Sequence, residues 1–270
     1  MAATPTFDRP PIVELVLGVQ FSPLTKLRAA HFGLYWKQLS EEWVEAVDGP
    51  LLEDQFELFD RSKGLSPSFL LRVEPLRLPS RFLVKDRNKE RQIQMQSTRF
   101  HFNWQKQSNC YPSYKTLIVE FEGAFKAFEN FVSSHMLGPL ALNQWELTYV
   151  NSFPRFEYWD TPADWPKVLP GLFGNLFASE GLGIELEHRA AQWSYEIIPK
   201  QGRLHISAQP STRGDHAQDT LLLQITARGP IEKDGISDLR TGLDLGHDVA
   251  VGSFLRVVDE DIQRGWGQKP

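Results

Sequence analysis

The chain has 270 residues, of which 41% are hydrophobic and 23% are charged, and its formal net charge is −5. This composition is typical of a globular protein with enough apolar residues for one large core or two small ones. The negative charge argues against a surface that coats nucleic acid along its whole length, since such binding needs many contacts from Lys and Arg to phosphates.

The N-terminal residues and the single cysteine indicate in which cellular compartment the protein is expected. MAATPTFDRPP lacks the basic start and the apolar core of a signal peptide, and no apolar run approaches the ~18 residues that span a bilayer. Cys110 is the only cysteine, which excludes a framework of internal disulfides and fits a reducing environment. We therefore expect a cytoplasmic protein without a membrane anchor.

The first half of the chain predicts strand, helix, strands and helix. Apolar residues alternate over Ile12–Phe21, which predicts a strand, and recur every three or four residues over Leu24–Leu39, which predicts a helix. Three strand-like segments follow, over Leu51–Phe59, Ser68–Val73 and Arg81–Trp104. The alternation in the last segment changes phase, which predicts a bulge or turn near Ser97. A long amphipathic helix over Tyr114–Leu137 closes this half.

The second half predicts the same order of elements. A strand is expected over Gln144–Phe153, and the capping sequence that begins at Thr161 predicts the start of a short helix. Three further strands are expected over Ile184–Ile198, Arg203–Gln209 and Thr220–Ala227. The half ends with a helical segment over Ile236–Trp266, which we expect to break near Gly246.

These elements predict an α+β fold made of two similar β-α-β-β-β-α halves, residues 1–140 and 141–270. Mostly antiparallel sheets with helices packed on one side suit this order better than a parallel α/β fold. We expect a pseudo-twofold axis between tightly packed halves, with a saddle or cleft where they meet. That shape resembles the duplicated TATA-binding and gyrase-inhibitor-like folds, by analogy only.

The sequence lacks the motifs of the commonest enzyme classes. It contains no Walker loop, dinucleotide fingerprint, nucleophile elbow, zincin helix or paired CxxC, so we predict no catalytic residue and no cofactor. His188 and His205 fall on successive predicted strands near Glu187, but without a third ligand they are interpreted as structural histidines. The acidic residues 259–261 are interpreted as a solvated helix surface. We predict no metal site, and a metal-dependent hydrolase is the least favoured function.

Two groups of residues are candidates for binding. The first comprises Arg99, Asn103, Trp104, Tyr149 and Asn151, on two strands that are expected to border the predicted cleft. Alternation predicts that Arg99 and Asn103 share one strand face and that Tyr149 and Asn151 share one on the strand that opens the second half. Directed polar groups beside aromatic walls are typical of a site for a small ligand or a partner protein. The structural alternative is that these side chains satisfy neighbouring backbone groups or fix the register of the strands.

The second group is basic and consists of Arg81, Lys85, Arg87, Lys89 and Arg91. Basic residues on strands, interleaved with the aromatic residues of the segment 100–104, are suited to phosphates and stacked bases. This group predicts nucleic-acid binding as an alternative function. The structural alternative is a solvated hairpin whose charges protect a sheet edge from aggregation.

Four segments resemble a known family. They are PPIVELVLGVQF near the start, RFHFNWQK in the middle, ELTYVNSF at the start of the second half and HDVAVGSFLRVVDEDIQRGWG at the end. In this order they resemble a sporadically distributed family of bacterial proteins with a PPIVEL-type N-terminal strand and a C-terminal helix that contains HD, F and WG. The resemblance transfers no catalytic residue. The family's patchy occurrence is consistent with mobile elements or defence loci, and the setting that we expect is a defence or toxin-control locus.

The patterns together favour a non-enzymatic binding or regulatory protein that acts through the surface between its halves. The expected partner is a protein or a small ligand, with nucleic acid as the alternative and no contact with a membrane. Self-association into a homo-oligomer stays open.

Overall fold

The structure is a computed structural model that describes residues 6–57, 59, 81–107, 111–174, 184, 186–213, 218–232 and 236–269. The strands are β1 (Thr6–Phe7), β2 (Ile12–Phe21), β3 (Trp43–Gly49), β4 (Arg81–Asp86), β5 (Arg91–Gln96), β6 (Arg99–Gln105), β7 (Leu142–Pro154), β8 (Ala191–Ile197), β9 (Gly202–Arg213), β10 (Gln218–Pro230) and β11 (Gln268–Lys269). The helices are α1 (Ala29–Gln38), α2 (Tyr114–Ser134), α3 (Trp165–Val168), α4 (Ile236–Val257) and α5 (Glu260–Gly265), and a 3-10 turn over Pro162–Asp164 precedes α3.

Within the described residues, nine strands form one antiparallel sheet in the order β3-β4-β5-β6-β2-β7-β10-β9-β8. The central neighbours β2 and β7 open the two halves of the chain, and they pair directly. On one side the sheet continues through β6, β5 and β4, and on the other through β10, β9 and β8. The predicted α+β class and antiparallel sheet are thus confirmed, while the internal duplication and the division after residue 140 stay predictions.

Alternation along each strand separates an apolar face from a polar one. In β2, Leu15, Leu17 and Val19 are fully buried on the apolar face. The residues between them belong to the other face, because successive side chains of a strand point to opposite sides. The strand predicted over Ile12–Phe21 is confirmed at both ends.

Helices α2 and α4 cover the apolar face of the sheet. The phenylalanines of α2 at positions 121, 125 and 128 lie around Phe100 of β6, with ring centroids 5.1 to 6.3 Å apart. Helix α4 packs on Trp145 of β7 through Gly242 and Gly246, where an added Cβ would lie 2.3 and 2.9 Å from the indole. These glycines therefore allow α4 to approach the sheet closely.

Several predicted elements are wrong in place or extent. Residues 51–57 form no strand, because side chains rather than a neighbouring strand occupy their backbone groups, and the unpredicted β3 precedes them. Helix α4 runs unbroken through Gly246, which is needed against Trp145, and the helical segment is interrupted instead at Asp259, the N-cap of α5. The turn predicted near Ser97 is confirmed between β5 and β6.

Other predictions change at their boundaries. Helix α1 begins at Ala29, later than the predicted Leu24. The strand predicted from Ile184 begins at Ala191, and the segment Ser68–Val73 lies outside the described residues. Among the described residues, the helices are all too short or too polar to span a bilayer.

Candidate binding face

The face of the sheet opposite α2 and α4 holds an unusual concentration of polar side chains. Register places Gly18 of β2 between His101 of β6 and Glu146 of β7, with Arg228 of β10 beside Glu146. We call this surface the polar face. Its central side chains are Gln20, Gln94, Gln96, Arg99, His101, Gln144, Glu146, Arg203, His205 and Arg228.

The charged groups at the centre of the polar face are buried and paired. Glu146 is 7% exposed and accepts a hydrogen bond from Nε of Arg228 at 2.6 Å. Burial by itself would raise the pKa of Glu146, but Arg228, His101 and Arg99 together lower it. Since a buried carboxylate is costly unless it is paired, this arrangement keeps Glu146 ionised at neutral pH.

A second buried carboxylate, that of Glu57, is bound by three side chains from β9 and β10. Nε2 of His205 lies 2.8 Å from Oε1 of Glu57, and Nη1 of Arg228 lies 3.2 Å from the same oxygen. Arg203 pairs with Oε2, and its guanidinium lies 5.2 Å from the ring centroid of Phe59. We call Arg203, His205 and Arg228 the carboxylate pocket. Burial opposes ionisation of Glu57, but His205, Arg228 and Arg203 together lower its pKa.

Residues 51–57, which we call the strap, cross the polar face at right angles to the strands. Successive contacts lie on β5, β6, β2 and β7, at strap residues 52, 53, 55 and 57. Three strand spacings amount to roughly 14 Å, and a chain of five residues spans at most about 17 Å. The strap is therefore close to fully extended.

Side-chain amides bind the backbone of the strap. Gln96 accepts a hydrogen bond from the N–H of Leu52 at 3.0 Å and donates one to its carbonyl at 2.8 Å. Gln20 makes the same pair of bonds with Gln55, at 3.0 and 2.6 Å. These amides supply the donor and acceptor that a neighbouring strand would supply, so they recognise an extended backbone whatever its side chains.

Three further contacts complete the binding of the strap. Arg99 donates to the carbonyl oxygen of Glu53 at 2.8 Å, and Gln144 accepts from the N–H of Glu57 at 3.4 Å. The hydroxyl of Thr98 donates to the carboxylate of Asp54 at 2.6 Å. The acidic side chains of the strap are thus bound at two points and its backbone at four.

His101 lies at the centre of the polar face and is 4% exposed. Its ring covers Gly18, where an added Cβ would lie 2.5 Å from Cδ2 of the imidazole. Within the described residues, Nε2 of His101 has no hydrogen-bond partner, and it lies 3.8 Å from the carboxylate of Glu146. Burial lowers the pKa of His101 to about 4. At neutral pH the ring is therefore uncharged, and Arg228 rather than His101 neutralises Glu146.

One end of the polar face, beyond the strap, is an open groove of about 280 Å³. Among its lining residues are Glu14, Gln105, Val150 and Leu222. The carboxylate of Glu14 accepts hydrogen bonds from Asn103 at 2.7 Å and from Gln105 at 3.0 Å. The groove combines an acid held by two amides with walls of mixed polar and apolar side chains, and it continues the polar face across both halves of the chain.

The structure divides the first group of candidate residues between the two faces. Arg99 and Asn103 lie on the polar face, where they contact the strap and Glu14 respectively. Trp104, Tyr149 and Asn151 lie on the helix-covered face, as their register with the buried residues of β2 and β10 shows. The pairs predicted to share a strand face do share one, but the five residues do not line one surface.

Trp104 and Tyr149 belong to a buried aromatic cluster beneath α2 and α4. Tyr149 hydrogen-bonds through its hydroxyl to Nδ1 of His247 at 2.8 Å and to the hydroxyl of Tyr111 at 3.3 Å. The ring of Tyr111 lies 5.3 Å from that of Trp104, and Tyr114 stacks on His247 at 4.0 Å. Burial raises the pKa of Tyr149 and lowers that of His247, so both stay neutral at pH 7. This cluster joins α2 and α4 to the sheet.

A groove of about 230 Å³ lies between α2 and α4. Its walls are mainly apolar and include Ile118, Phe121 and Leu239. An ion pair between Arg240 and Glu122, 2.8 Å apart, links the two helices beside it. The helix side of the molecule is therefore an apolar contact between halves, in contrast to the polar face.

The second candidate group, which we call the basic hairpin, lies on β4, β5 and the turn between them. Its members are Arg81, Lys85, Arg87, Lys89 and Arg91. The guanidinium of Arg91 binds the carboxylate of Glu120 on α2 at 2.5 and 3.0 Å, and Lys89 lies 3.5 Å from the carboxylate of Glu45. Alternation along β4 and β5 places Arg81 and Arg91 on opposite faces of the sheet. The basic hairpin is thus not one continuous cationic surface.

Two of the residues considered as metal ligands, His205 and Asp259, have structural partners. His188 lies outside β8, and His205 contacts Glu57 and also Ser194, at 3.0 Å. The carboxylate of Asp259 accepts hydrogen bonds from two backbone N–H groups at the start of α5. In the part of the chain that the structure describes, no group of three or more His, Cys, Asp or Glu side chains is placed to hold a metal ion.

Sequence reasoning missed most of the polar face. The omitted residues are Gln20, Glu57, Gln96, Gln144, Glu146, Arg203 and Arg228. The signal was present in β5, where glutamine occupies positions 92, 94 and 96 between buried apolar residues. Such a run of long amides on one face of a central strand indicates a surface that binds something polar.

No protein-family model matches the chain, and a search of curated proteins gives no match either. The resemblance to the sporadically distributed bacterial family therefore stays a prediction.

Proposed function

We propose that the protein is a non-enzymatic, cytoplasmic binding protein that recognises an extended acidic segment of a partner protein on its polar face. The observation that supports this most directly is the pair of glutamines, Gln20 and Gln96, each bonded to both backbone groups of one residue in an extended segment. Binding through backbone groups with side-chain pockets for specificity is a recurring way of recognising extended peptides.

The charges of the polar face define the chemistry of the segment. Arg203 and Arg228 converge on one carboxylate, and Arg99 donates to a backbone carbonyl. Arginine is suited to this role because its planar donors match a carboxylate and it stays charged when buried. An acidic side chain flanked by extended backbone therefore fits the polar face better than a basic or an apolar one.

The surface spans both halves of the chain, as a saddle between them would. Strands β2, β5 and β6 of the first half supply the glutamines and Arg99, and strands β7, β9 and β10 of the second supply Glu146 and the carboxylate pocket. Together with the resemblance to a patchily distributed bacterial family, this supports a regulatory protein that acts on a protein partner in a defence or toxin-control locus.

Nucleic-acid binding through the basic hairpin is less well supported. Arg91 pairs with Glu120, and Lys89 pairs with Glu45. A cationic side chain that is already paired with a carboxylate is less available to a phosphate group. A gel-shift assay at low salt with wild-type protein and with Arg87→Glu/Arg91→Glu tests this alternative. A wild-type shift that this double variant weakens would favour it.

The proposal is tested by selecting peptides from a random library on the full-length protein. We expect selected peptides to contain Asp or Glu, and we expect Arg203→Ala to weaken their binding about tenfold or more, since a hydrogen bond to a charged group contributes about 1.5–3 kcal/mol. Arg256→Ala on α4 is the control, because this exposed guanidinium bonds only to its own helix in the described structure, at Gly252. Selection of no peptide, or equal losses from both variants, would contradict the proposal.

A further inference from the structure

The carboxylate pocket has the construction of a ligand site. Arg228 is 8% exposed, and register places Arg203 directly opposite it, with His205 two residues further along β9. All three residues belong to the second half of the chain, whereas Glu57 lies in the first half between β3 and β4. The pocket is therefore part of the sheet, and its occupant comes from a segment outside the sheet.

The strap is bound as a peptide ligand would be. In the described part of the chain its backbone bonds go to side chains of the polar face, with no strand ladder over residues 51–57. Each neutral hydrogen bond contributes a net ~1 kcal/mol. Another extended segment can replace the strap in these contacts if it supplies the same backbone donors and acceptors and the same acidic side chains.

The charges of the pocket also determine under which conditions the strap can leave the polar face. Removing Glu57 takes away the carboxylate that Arg203 and Arg228 share. Although Glu146 still pairs with Arg228, the two guanidinium groups then lie close together without this shared anion, and like charges at short range repel each other. Another carboxylate removes this cost. The pocket therefore favours exchange of one carboxylate for another over release of the strap into solvent.

We propose that Arg203, His205 and Arg228 form a carboxylate-binding pocket that Glu57 fills in cis, and that the acidic segment of a partner protein displaces the strap from the polar face. This inference rests on the proposed function for the identity of the displacing group. The strap then holds the binding face closed until a partner of matching chemistry is present. Because the strap is tethered to its site, a competing segment has to overcome its high effective concentration.

The first experiment tests the pocket alone, by chemical rescue of Glu57→Ala. We expect this variant to unfold at a lower temperature than wild type, and sodium acetate to raise its unfolding temperature more than sodium chloride at equal ionic strength. Glu120→Ala is the matched control, because Glu120 also pairs with an arginine, Arg91, but on the opposite face and partly exposed. Equal effects of the two salts on Glu57→Ala would overturn the pocket.

The second experiment tests displacement with a defined probe, the peptide LLEDQFELF of residues 51–59. We expect it to bind full-length Glu57→Ala at least tenfold more tightly than wild type, because the vacated pocket accepts its carboxylate in trans. A peptide with Gln in place of the residue-57 glutamate should lose that gain. Equal affinity for wild type and variant would overturn displacement.

A second variant, Gln55→Pro, tests displacement if Glu57→Ala folds poorly. Gln55→Pro keeps the carboxylate of Glu57 but removes the N–H that Gln20 accepts at 3.0 Å, so it loosens the strap without emptying a charged pocket. We expect it to bind the peptide more tightly than wild type as well. No gain in affinity for Gln55→Pro would overturn displacement.

The outcomes separate this inference from the proposed function. If library peptides bind wild type through Arg203 but bind Glu57→Ala no more tightly, the proposed function is supported and the displacement of the strap is overturned. If acetate stabilises Glu57→Ala but no acidic peptide binds, the carboxylate pocket is supported. Both displacement by a partner and the proposed function are then overturned.

Discussion

The two faces of the sheet are built by the same strands but are filled by different kinds of interaction. The face under α2 and α4 holds apolar side chains such as Trp145 and Phe100, whose burial is stabilising in proportion to area and needs no particular angle. The polar face holds arginine, glutamate and glutamine side chains that depend on direction and on complete pairing. Buried ion pairs contribute little net stability, so the polar face is better explained by recognition than by folding.

The largest expected effect concerns the apolar face. Trp145→Ala should lower the free energy of unfolding by about 3–5 kcal/mol, because the indole is 2% exposed and packs against α4. Urea denaturation measures this, and Trp193→Ala on β8 is the control, since that indole is 46% exposed. A loss from Trp145→Ala no larger than that from Trp193→Ala would show that the apolar face is not the main source of stability.

The next effect concerns acid stability and the centre of the polar face. The folded pKa of His101 is about 4 against an ordinary 6.5, so between these values the unfolded chain binds a proton that the folded chain does not. The free energy of unfolding is therefore not reduced by His101 above pH 6.5, and it falls by up to about 3 kcal/mol as the pH drops to 4. His247, whose pKa burial also lowers, acts in the same direction.

Denaturation curves between pH 7 and 4 measure this loss, and His101→Gln should make it smaller. The carboxylates of Glu57 and Glu146 have lowered folded pKa values, so their contributions are lost only below the ordinary pKa of glutamate. An unchanged pH profile in His101→Gln would contradict the assignment of a buried, neutral imidazole.

A smaller effect tests the close packing of His101 on Gly18. Gly18→Ala should lower the free energy of unfolding by about 1–3 kcal/mol, because the new Cβ would lie 2.5 Å from the imidazole. Gly33→Ala in α1 is the control, since no atom lies within 4 Å of its added Cβ. Alanine is favoured over glycine within a helix, so this control should be neutral or stabilising. Similar values for both variants would contradict the contact.

The smallest effect concerns the strap. Gln96→Ala removes two hydrogen bonds to Leu52 and should cost about 1–2 kcal/mol in global stability. Hydrogen exchange at the amide of Leu52 should accelerate much more than exchange at the central strand β2, because the strap can open locally. Gln107→Ala, which loses one bond to Lys89 far from the strap, is the control. Unchanged exchange at Leu52 would contradict binding by Gln96.

The sequence predicted the local elements better than the candidate site. Alternation identified β2, β7 and β10, and apolar residues three or four positions apart identified the amphipathic helix α2. It also predicted correctly that Arg99 and Asn103 share a face and that Tyr149 and Asn151 share one. It did not predict that the two pairs lie on opposite faces, because that depends on the register of strands far apart in the chain.

By itself, then, the sequence determined the periods of most strands and helices, the α+β class and the division of the central strands into an apolar and a polar side. These properties follow from residues within a few positions of one another. Only the tertiary structure decided that β2 and β7 meet at the centre of one sheet and that residues 51–57 form a strap rather than a strand. Glu57 lies 146 and 171 residues from Arg203 and Arg228, and no local pattern encodes a contact over such separations.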